Sequence, residues 1–304
     1  MPAVERTPAE EQLLELSIII AVYNDWIALD SCLGSIAQQA PGFEVVVIDD
    51  GSNEVAPEDV RQWARCFPLT IVQQSHAGVS AARNRGIRAA QGAVLLFVDA
   101  DCRLHANCLA ALGSVIAHSP QHDCFQLQLT GNCSSVVGRA EQLRLVTFQE
   151  HTLQPDGRIR YLNTAGFAIR RTRTDPETGL FDPAALRAED TLLLANLMQG
   201  GELPLFVPDA IVQHAIPLSL IGCLQKDIRS AYLEGRTYEI IASKGVSIRV
   251  THRERLRLLS SLWKTAGQHS IGRTAWFVLV GRQALQRMIS FLYKFLRVGF
   301  ASHV

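Results

Sequence analysis

Apolar and polar positions alternate in blocks along the first two thirds of the chain. Leu16–Tyr23, Phe43–Ile48 and Ala93–Val98 are short apolar runs, each closing on a polar cluster. Apolar on both faces and too short for helices, they predict buried strands of a parallel sheet. Between them the period lengthens: Trp26–Gln39 carries Ile27, Leu29, Leu33 and Ile36 at helical spacing, and Pro57–Cys66 and Val79–Ala90 read as further helices. Leu69–Gln74, Cys124–Thr130 and Thr164–Arg170 fit a fourth, fifth and sixth strand. Such alternation predicts an α/β sheet with right-handed crossovers and helices on its faces.

Gly131–Arg160 is less regular, with a helical stretch at Arg139–Glu150 and turn residues Pro155, Asp156 and Gly157. Past Pro217 the pattern is helical only. Leu285, Met288, Ile289, Leu292 and Leu296 recur at i, i+3, i+4, i+7 and i+11, with Arg282, Gln286, Arg287, Lys294 and Arg297 largely off that stripe.

A chain of 304 residues, 48% hydrophobic and 19% charged, is ordinary globular protein; disorder and collagen-like repeats are excluded. Net charge is zero but unevenly placed: Ile221–Val304 holds 14 Lys+Arg against 4 Asp+Glu, a balance of +10. Seven cysteines, an odd number without C-x-x-C spacing, suggest neither a zinc site nor a disulfide framework, and so a reducing compartment. Residues 1–15 lack the basic and apolar regions of a secretory signal, and no apolar run approaches the roughly 20 residues that cross a bilayer. The expected location is cytoplasmic.

The candidate chemistry lies at strand ends. Asp99 and Asp101 follow Val94–Val98, placing two carboxylates on one side of a turn. Hard oxygen ligands paired this way suit Mn²⁺ or Mg²⁺, which also takes oxygens from a substrate diphosphate. Alone, Asp-x-Asp is commonly a solvated turn. Here two other strands end in Tyr23-Asn24 and Asp49-Asp50-Gly51-Ser52, and ligands of open α/β sheets gather at such ends.

Segments Ser17–Asn24, Val47–Ser52, Gly78–Gly86 and Phe97–Asp101, with Arg187–Asp190 following, occur in an order that resembles the family 2 glycosyltransferases of the GT-A fold. The resemblance implies a Rossmann-like, mostly parallel sheet over residues 16–217, with a donor half at 16–130 and an acceptor half at 131–217. A tail at 1–15 and a helical, basic and amphipathic extension at 218–304 would flank it. Ala21 stands where the family often has proline, and with Tyr23 it would line the nucleotide site. Tyr23 would pack on the base, Asp50 would accept from the base edge or ribose with Asp49 able to share that role, and Arg83 would sit near the donor nucleotide. Asp101 would be the main metal ligand, with Asp99 secondary and nearer the ribose. His214 matches a histidine that some members use as a further ligand, though a histidine near a strand end is also a common structural residue. His76 and His118 read as structural. Asp190 matches the base that takes the acceptor proton, beside Glu189, and Gly166 would let a sugar approach the backbone on the acceptor side.

The function so implied is an inverting, metal-dependent, single sugar transfer from a UDP-, GDP- or dTDP-sugar to a saccharide or lipid-linked acceptor. The alternatives are a nucleotidyltransferase, against which Ile18–Asn24 offers no glycine-rich loop, and a non-catalytic nucleotide-sugar-binding scaffold. The stretch carrying Arg249, Arg253, Arg255, Arg257, Lys264, Arg273, Trp276, Phe291, Tyr293 and Phe295 reads either as a surface for anionic lipid on the inner face of the membrane or as helices packed on the core or a second subunit. Nucleic acid is not an expected partner.

Overall fold

A computed structural model describes residues 16–185, 187–215, 219–245, 252–268 and 272–301. The expected tail at 1–15 and Arg249 lie outside these residues, as do the side chains of Arg253, Arg255, Arg257, Phe291, Tyr293 and Phe295.

The chain runs β1 (Leu16–Val22), α1 (Trp26–Ile36), β2 (Phe43–Asp49), α2 (Glu58–Arg61), β3 (Leu69–Gln73), α3 (Val79–Ala89) and β4 (Val94–Asp99). It continues through β5 (Cys102–Leu104), α4 (Cys108–His118), β6 (Cys124–Thr130), α5 (Val136–Thr152), β7 (Phe167–Arg170), α6 (Glu189–Gln199) and β8 (Leu205–His214). Helices α7 (Leu220–Ser243), α8 (His252–Gln268) and α9 (Arg273–Ala301) follow. The eight strands form one mixed sheet in the order β3-β2-β1-β4-β7-β6-β8-β5.

The apolar runs are strands buried on both faces. Ile18, Ile20, Val45, Val47, Leu96 and Val98 face one core with Leu29 and Leu33 of α1 and Leu109 and Leu112 of α4. Ile19, Val46, Ile48, Leu95 and Phe97 face a second core with Ala82 and Ile87 of α3 and Leu193 and Leu194 of α6. Fully burying each such side chain contributes roughly 1.5–3 kcal/mol. Strands β1, β2 and β4 are parallel, with Val22 opposite Asp49 and Ala21 opposite Asp99. Three loops therefore leave the sheet at one level.

Elsewhere tertiary packing refined the pattern. The expected helix at Pro57–Cys66 is a single α-turn followed by a 3-10 turn at Gln62–Arg65. That tighter turn carries Trp63 onto α1, where its indole N–H donates to Asp30 at 2.7 Å. Of Thr164–Arg170 only the last four residues pair; Asn163 caps a 3-10 turn before them by accepting from Ala165 N. β7 then runs antiparallel between β4 and β6. Elements β5, α4 and β8 were not separated by the sequence pattern. β5 is only three residues long, and β8 loses its alternation where its register against β6 jumps from Val207 to Ile211, across the exposed Pro208-Asp209.

The C-terminal helices pack on the core through α5 and α6, Ile241 of α7 meeting Leu192 and Ala195 of α6. Ala140 and Leu143 meet Leu258, Leu262 and Ala266 of α8 and Ala275 and Leu279 of α9. Arg282 of α9 grips Asp227 of α7 through two nitrogens at 2.8 and 2.9 Å. Among the described residues no helix is long and apolar enough to cross a membrane.

Candidate active site

The loops after β1 and β2 hold one another. Asn24, left-handed at φ 54°, donates its N–H to Ser52 Oγ and accepts from Asn53 N on its side chain, while Asp49 accepts from Ser52 N. Asparagine visits that conformation more readily than most residues, and here its amide oxygen is held by the neighbouring loop. Tyr23 is thereby left 49% exposed, its ring stacked on that of His76 with centroids 4.4 Å apart. His76 Nδ1 lies 3.0 Å from Asp50 Oδ2. The sequence had assigned His76 no role beyond structure; its place directly before the Gly78 motif was the available signal.

Asp50 is buried and heavily engaged. It accepts from Gln74 Nε2 at 2.7 Å and from Ala77 N and Gly78 N at 2.9 Å, besides its contact with His76. A carboxylate offers about four acceptor sites, so Asp50 is largely spent on shaping the 74–78 loop. Gly51, at φ 79°, permits the close crossing, since a Cβ there would stand 2.6 Å from His76 N. Asp49 faces the other side of the sheet, where it lines a cavity of about 380 Å³ with Ala56, Arg61, Leu69 and Ile71. Strand alternation separates these adjacent carboxylates, so one cannot stand in for the other.

Arg83 of α3 is the central link. Its Nη2 donates to Asp99 Oδ1 and its Nη1 to Glu189 Oε1, each at 2.8 Å, and its guanidinium lies 5.4 Å from the Phe181 ring centroid. Only 5% of the side chain is exposed. Burial disfavours its charge, but Asp99 and Glu189 outweigh that and raise its pKa. The arginine expected beside the donor nucleotide thus has two of its arms occupied by carboxylates and sets their positions.

Glu189 and Asp190 open α6 after Ala188, a non-glycine residue at φ 59°. Asp190 Oδ1 accepts from Thr191 N at 2.6 Å and from its hydroxyl at 3.1 Å. Burial, and next the charge of Glu189, push the Asp190 carboxyl up to about 6 against the pull of Thr191 and Arg83. Asp190 also feels Arg144 and Tyr161, which sequence reasoning had not singled out. Arg144 pairs with Glu141 at 2.5 Å, and burial pushes the Tyr161 hydroxyl up to about 12.

On the far side of the turn, β5 and β8 pair so that Cys102 stands opposite His214. His214 Nδ1 comes within 3.7 Å of Asp101 Oδ1. Burial disfavours the imidazolium, but Asp101 outweighs it and raises the His214 pKa; burial likewise opposes ionisation of Asp101, and His214 outweighs it to lower that pKa. Asp101 is 41% exposed and Asp99 35%, so the carboxylates are open to an ion from outside. The Asp101 carboxylate and the His214 imidazole stand close enough to share a divalent cation, with Asp99 on the same turn, so the residues expected to hold a metal are compatible with one.

Gly166 serves packing. It is buried, and a Cβ there would press to 2.8 Å from Leu129 Cδ2, towards the core. Ala21 pairs with Asp99 across β1 and β4, behind Tyr23. His118 bonds to its own helix carbonyl at Ser114.

Residues 17–176 match the model of glycosyl transferase family 2. The chain belongs to that family. Among relatives, the uncharacterized glycosyltransferase YibD of Escherichia coli K12 is 38% identical over 89 residues, 29% of this chain and 26% of that protein. Glycosyltransferase AglE of Haloferax volcanii is 34% identical over 99 residues, 31% of this chain and 33% of that protein. The matched segment thus spans about a quarter to a third of these relatives. The mannosyltransferase PcManGT of Pyrobaculum calidifontis, solved with GDP-Man and Mn²⁺, superposes with a TM-score of 0.60 at 20% identity, covering 94% of this chain and 79% of that one. Staphylococcus aureus TarS 1–349 with UDP gives 0.55 at 20% identity over 92% and 91%. The family 2 chain therefore has the fold of these glycosyltransferases.

Proposed function

We propose that this family 2 protein is an inverting glycosyltransferase. It moves one sugar from a nucleoside-diphosphate sugar, with uridine, guanosine or deoxythymidine as the nucleoside, to a hydroxyl of a saccharide or lipid-linked acceptor. The observation that carries this reading is the buried Arg83, which holds Asp99 of the Asp-x-Asp turn and Glu189 beside Asp190 in one cluster. Groups assigned to donor and acceptor are thus brought together from 106 residues apart in sequence.

The half-exposed Tyr23, backed by His76, offers a planar face to the base. Asp190 takes the proton of the acceptor hydroxyl as that oxygen attacks the anomeric carbon opposite the diphosphate. The bond from that carbon to the diphosphate oxygen breaks, its electron pair leaves with the nucleoside diphosphate, and the single displacement inverts the centre. A carboxylate titrating near 6 is mostly ionised at neutral pH yet basic enough to accept that proton. Asp101, Asp99 and His214 would hold a Mn²⁺ or Mg²⁺ ion, which when bound neutralises charge on the departing diphosphate. The complexes of PcManGT with GDP-Man and Mn²⁺ and of TarS with UDP support a donor and ion of these classes. In the C-terminal region, the exposed Lys264, Arg273 and Arg287, with the 62% exposed Phe277, support contact with anionic lipid on the inner face of the membrane.

The test is turnover of nucleotide sugars with and without Mn²⁺. Metal-dependent release of nucleoside diphosphate is expected, abolished by Asp101→Ala. Absence of metal-dependent turnover with every donor would favour the non-catalytic binding protein instead.

A further inference from the structure

The metal cluster contains a ligand type that the Asp-x-Asp reading does not use. Cys102 Sγ lies 3.4 Å from His214 Nδ1 and 3.7 Å from Asp101 Oδ1, and those two atoms are 3.7 Å apart. With metal–ligand bonds of about 2.0–2.3 Å, the ligand atoms of a tetrahedral ion stand about 3.3–3.8 Å from one another. The three atoms already describe one face of such a tetrahedron. The cluster joins residues 112 apart, which is why cysteine spacing alone suggested no zinc site. Nothing local in the sequence marks it, because it is made by the β5–β8 pairing.

We propose that Asp101, Cys102 and His214 form a three-ligand site for a borderline-soft divalent cation of the Zn²⁺, Co²⁺ or Cd²⁺ class, with Cys102 binding as thiolate. On binding, the S–H bond gives way to a sulfur–metal bond and the proton leaves to solvent; no electron is transferred. Sulfur and nitrogen ligands favour such ions and disfavour Mg²⁺, so the chain selects along the series from Mg²⁺ through Mn²⁺ towards Zn²⁺. Cys102 is 1% exposed, and the half-buried Asp101 and His214 form the entry, leaving the remaining coordination position on the solvent side. That position coincides with the proposed diphosphate site, and this part alone rests on the glycosyltransferase reading. A thiophilic ion seated there competes with the ion that supports transfer.

The experiment titrates Cd²⁺ into the full chain, without any nucleotide sugar, and reads the ultraviolet thiolate-to-cadmium charge-transfer band. The exposed Cys66 and Cys133 are first changed to serine to remove adventitious thiols. The expected result is a band saturating at one ion per chain, displaced by Zn²⁺ but not by excess Mg²⁺. Cys102→Ser should abolish it, and His214→Gln should weaken Cd²⁺ affinity about tenfold or more. Circular dichroism checks each fold; if Cys102→Ser does not fold, His214→Gln and Asp101→Asn decide. A band that survives Cys102→Ser, or is unmoved by both other variants, overturns the proposal. So does a parent chain with no band that still binds Mn²⁺ by paramagnetic resonance. Because no donor is present, an intact band with no sugar turnover sinks the glycosyltransferase reading and leaves this site standing.

Discussion

The two sides of the candidate site are built differently. On the β1–β4 side, each functional group sits on or next to the strand that positions it: Tyr23 after β1, Asp50 after β2, and Asp99 and Asp101 around the end of β4. Parallel pairing brings these ends level, with Val22 opposite Asp49 and Ala21 opposite Asp99. On the other side, Asp190 comes from a helix start and His214 from the end of a strand that meets the turn through β5 and through Ala215 N, which donates to Asp101 O. Local sequence governs the first side and long-range pairing the second. Arg83 spans the two, donating to Asp99 on one and Glu189 on the other.

The largest effect should come from the second side. Asp190→Asn keeps the shape and the Thr191 bond but removes the base, so transfer should fall by about 10²–10⁴-fold while donor binding by calorimetry persists. Equal loss of binding would place Asp190 on the donor side. In the parent enzyme, kcat/KM should rise with pH through a limb near 6, where Asp190 loses its proton. The stability sign is opposite. A carboxyl whose folded pKa is raised binds more protons folded than unfolded, so it costs stability as pH climbs from the ordinary range near 4 through 6. Asp190→Asn should therefore raise Tm at pH 8 and leave it nearly unchanged at pH 4.

Arg83→Lys breaks the link between the sides. Lysine keeps the charge but cannot fork to both carboxylates, so kcat should drop about 10–100-fold, with a smaller rise in donor KM. If only KM moved, Arg83 would be a donor contact and not a positioning residue. Arg83→Ala should destabilise by about 3–5 kcal/mol, because it strands Glu189, 13% exposed, without its cation.

The smallest effect tests the helix start. Ala188 at φ 59° carries strain that glycine would not, so Ala188→Gly should change Tm by no more than a few degrees, upward if strain relief exceeds the added unfolded-state entropy. A large loss of activity without loss of stability would mean that Ala188 rigidity sets the angle of Asp190.

Legibility followed the same division. The strands at 16–23, 43–48 and 93–98 were readable because burial on both faces leaves an uninterrupted apolar run, and their motifs sit at the run ends. β8 was not, because Pro208 and Asp209 interrupt its alternation where the register jumps, and β5 is too short to carry a period. His76 was passed over because a histidine in a loop has no periodicity; only the crossing at Gly51 brings it to Tyr23.

By itself the sequence determined the α/β class, the place of the Asp-x-Asp turn at a strand end and the family, since each rests on short local segments and their order along the chain. Tertiary structure alone decided that Arg83 is shared between Asp99 and Glu189, that Asp50 is spent on its neighbouring loop, and that Cys102 joins Asp101 and His214. The physical reason is that ion pairs and ligand sets depend on distances of a few ångströms between segments 16 to 112 residues apart, and strand order sets those distances.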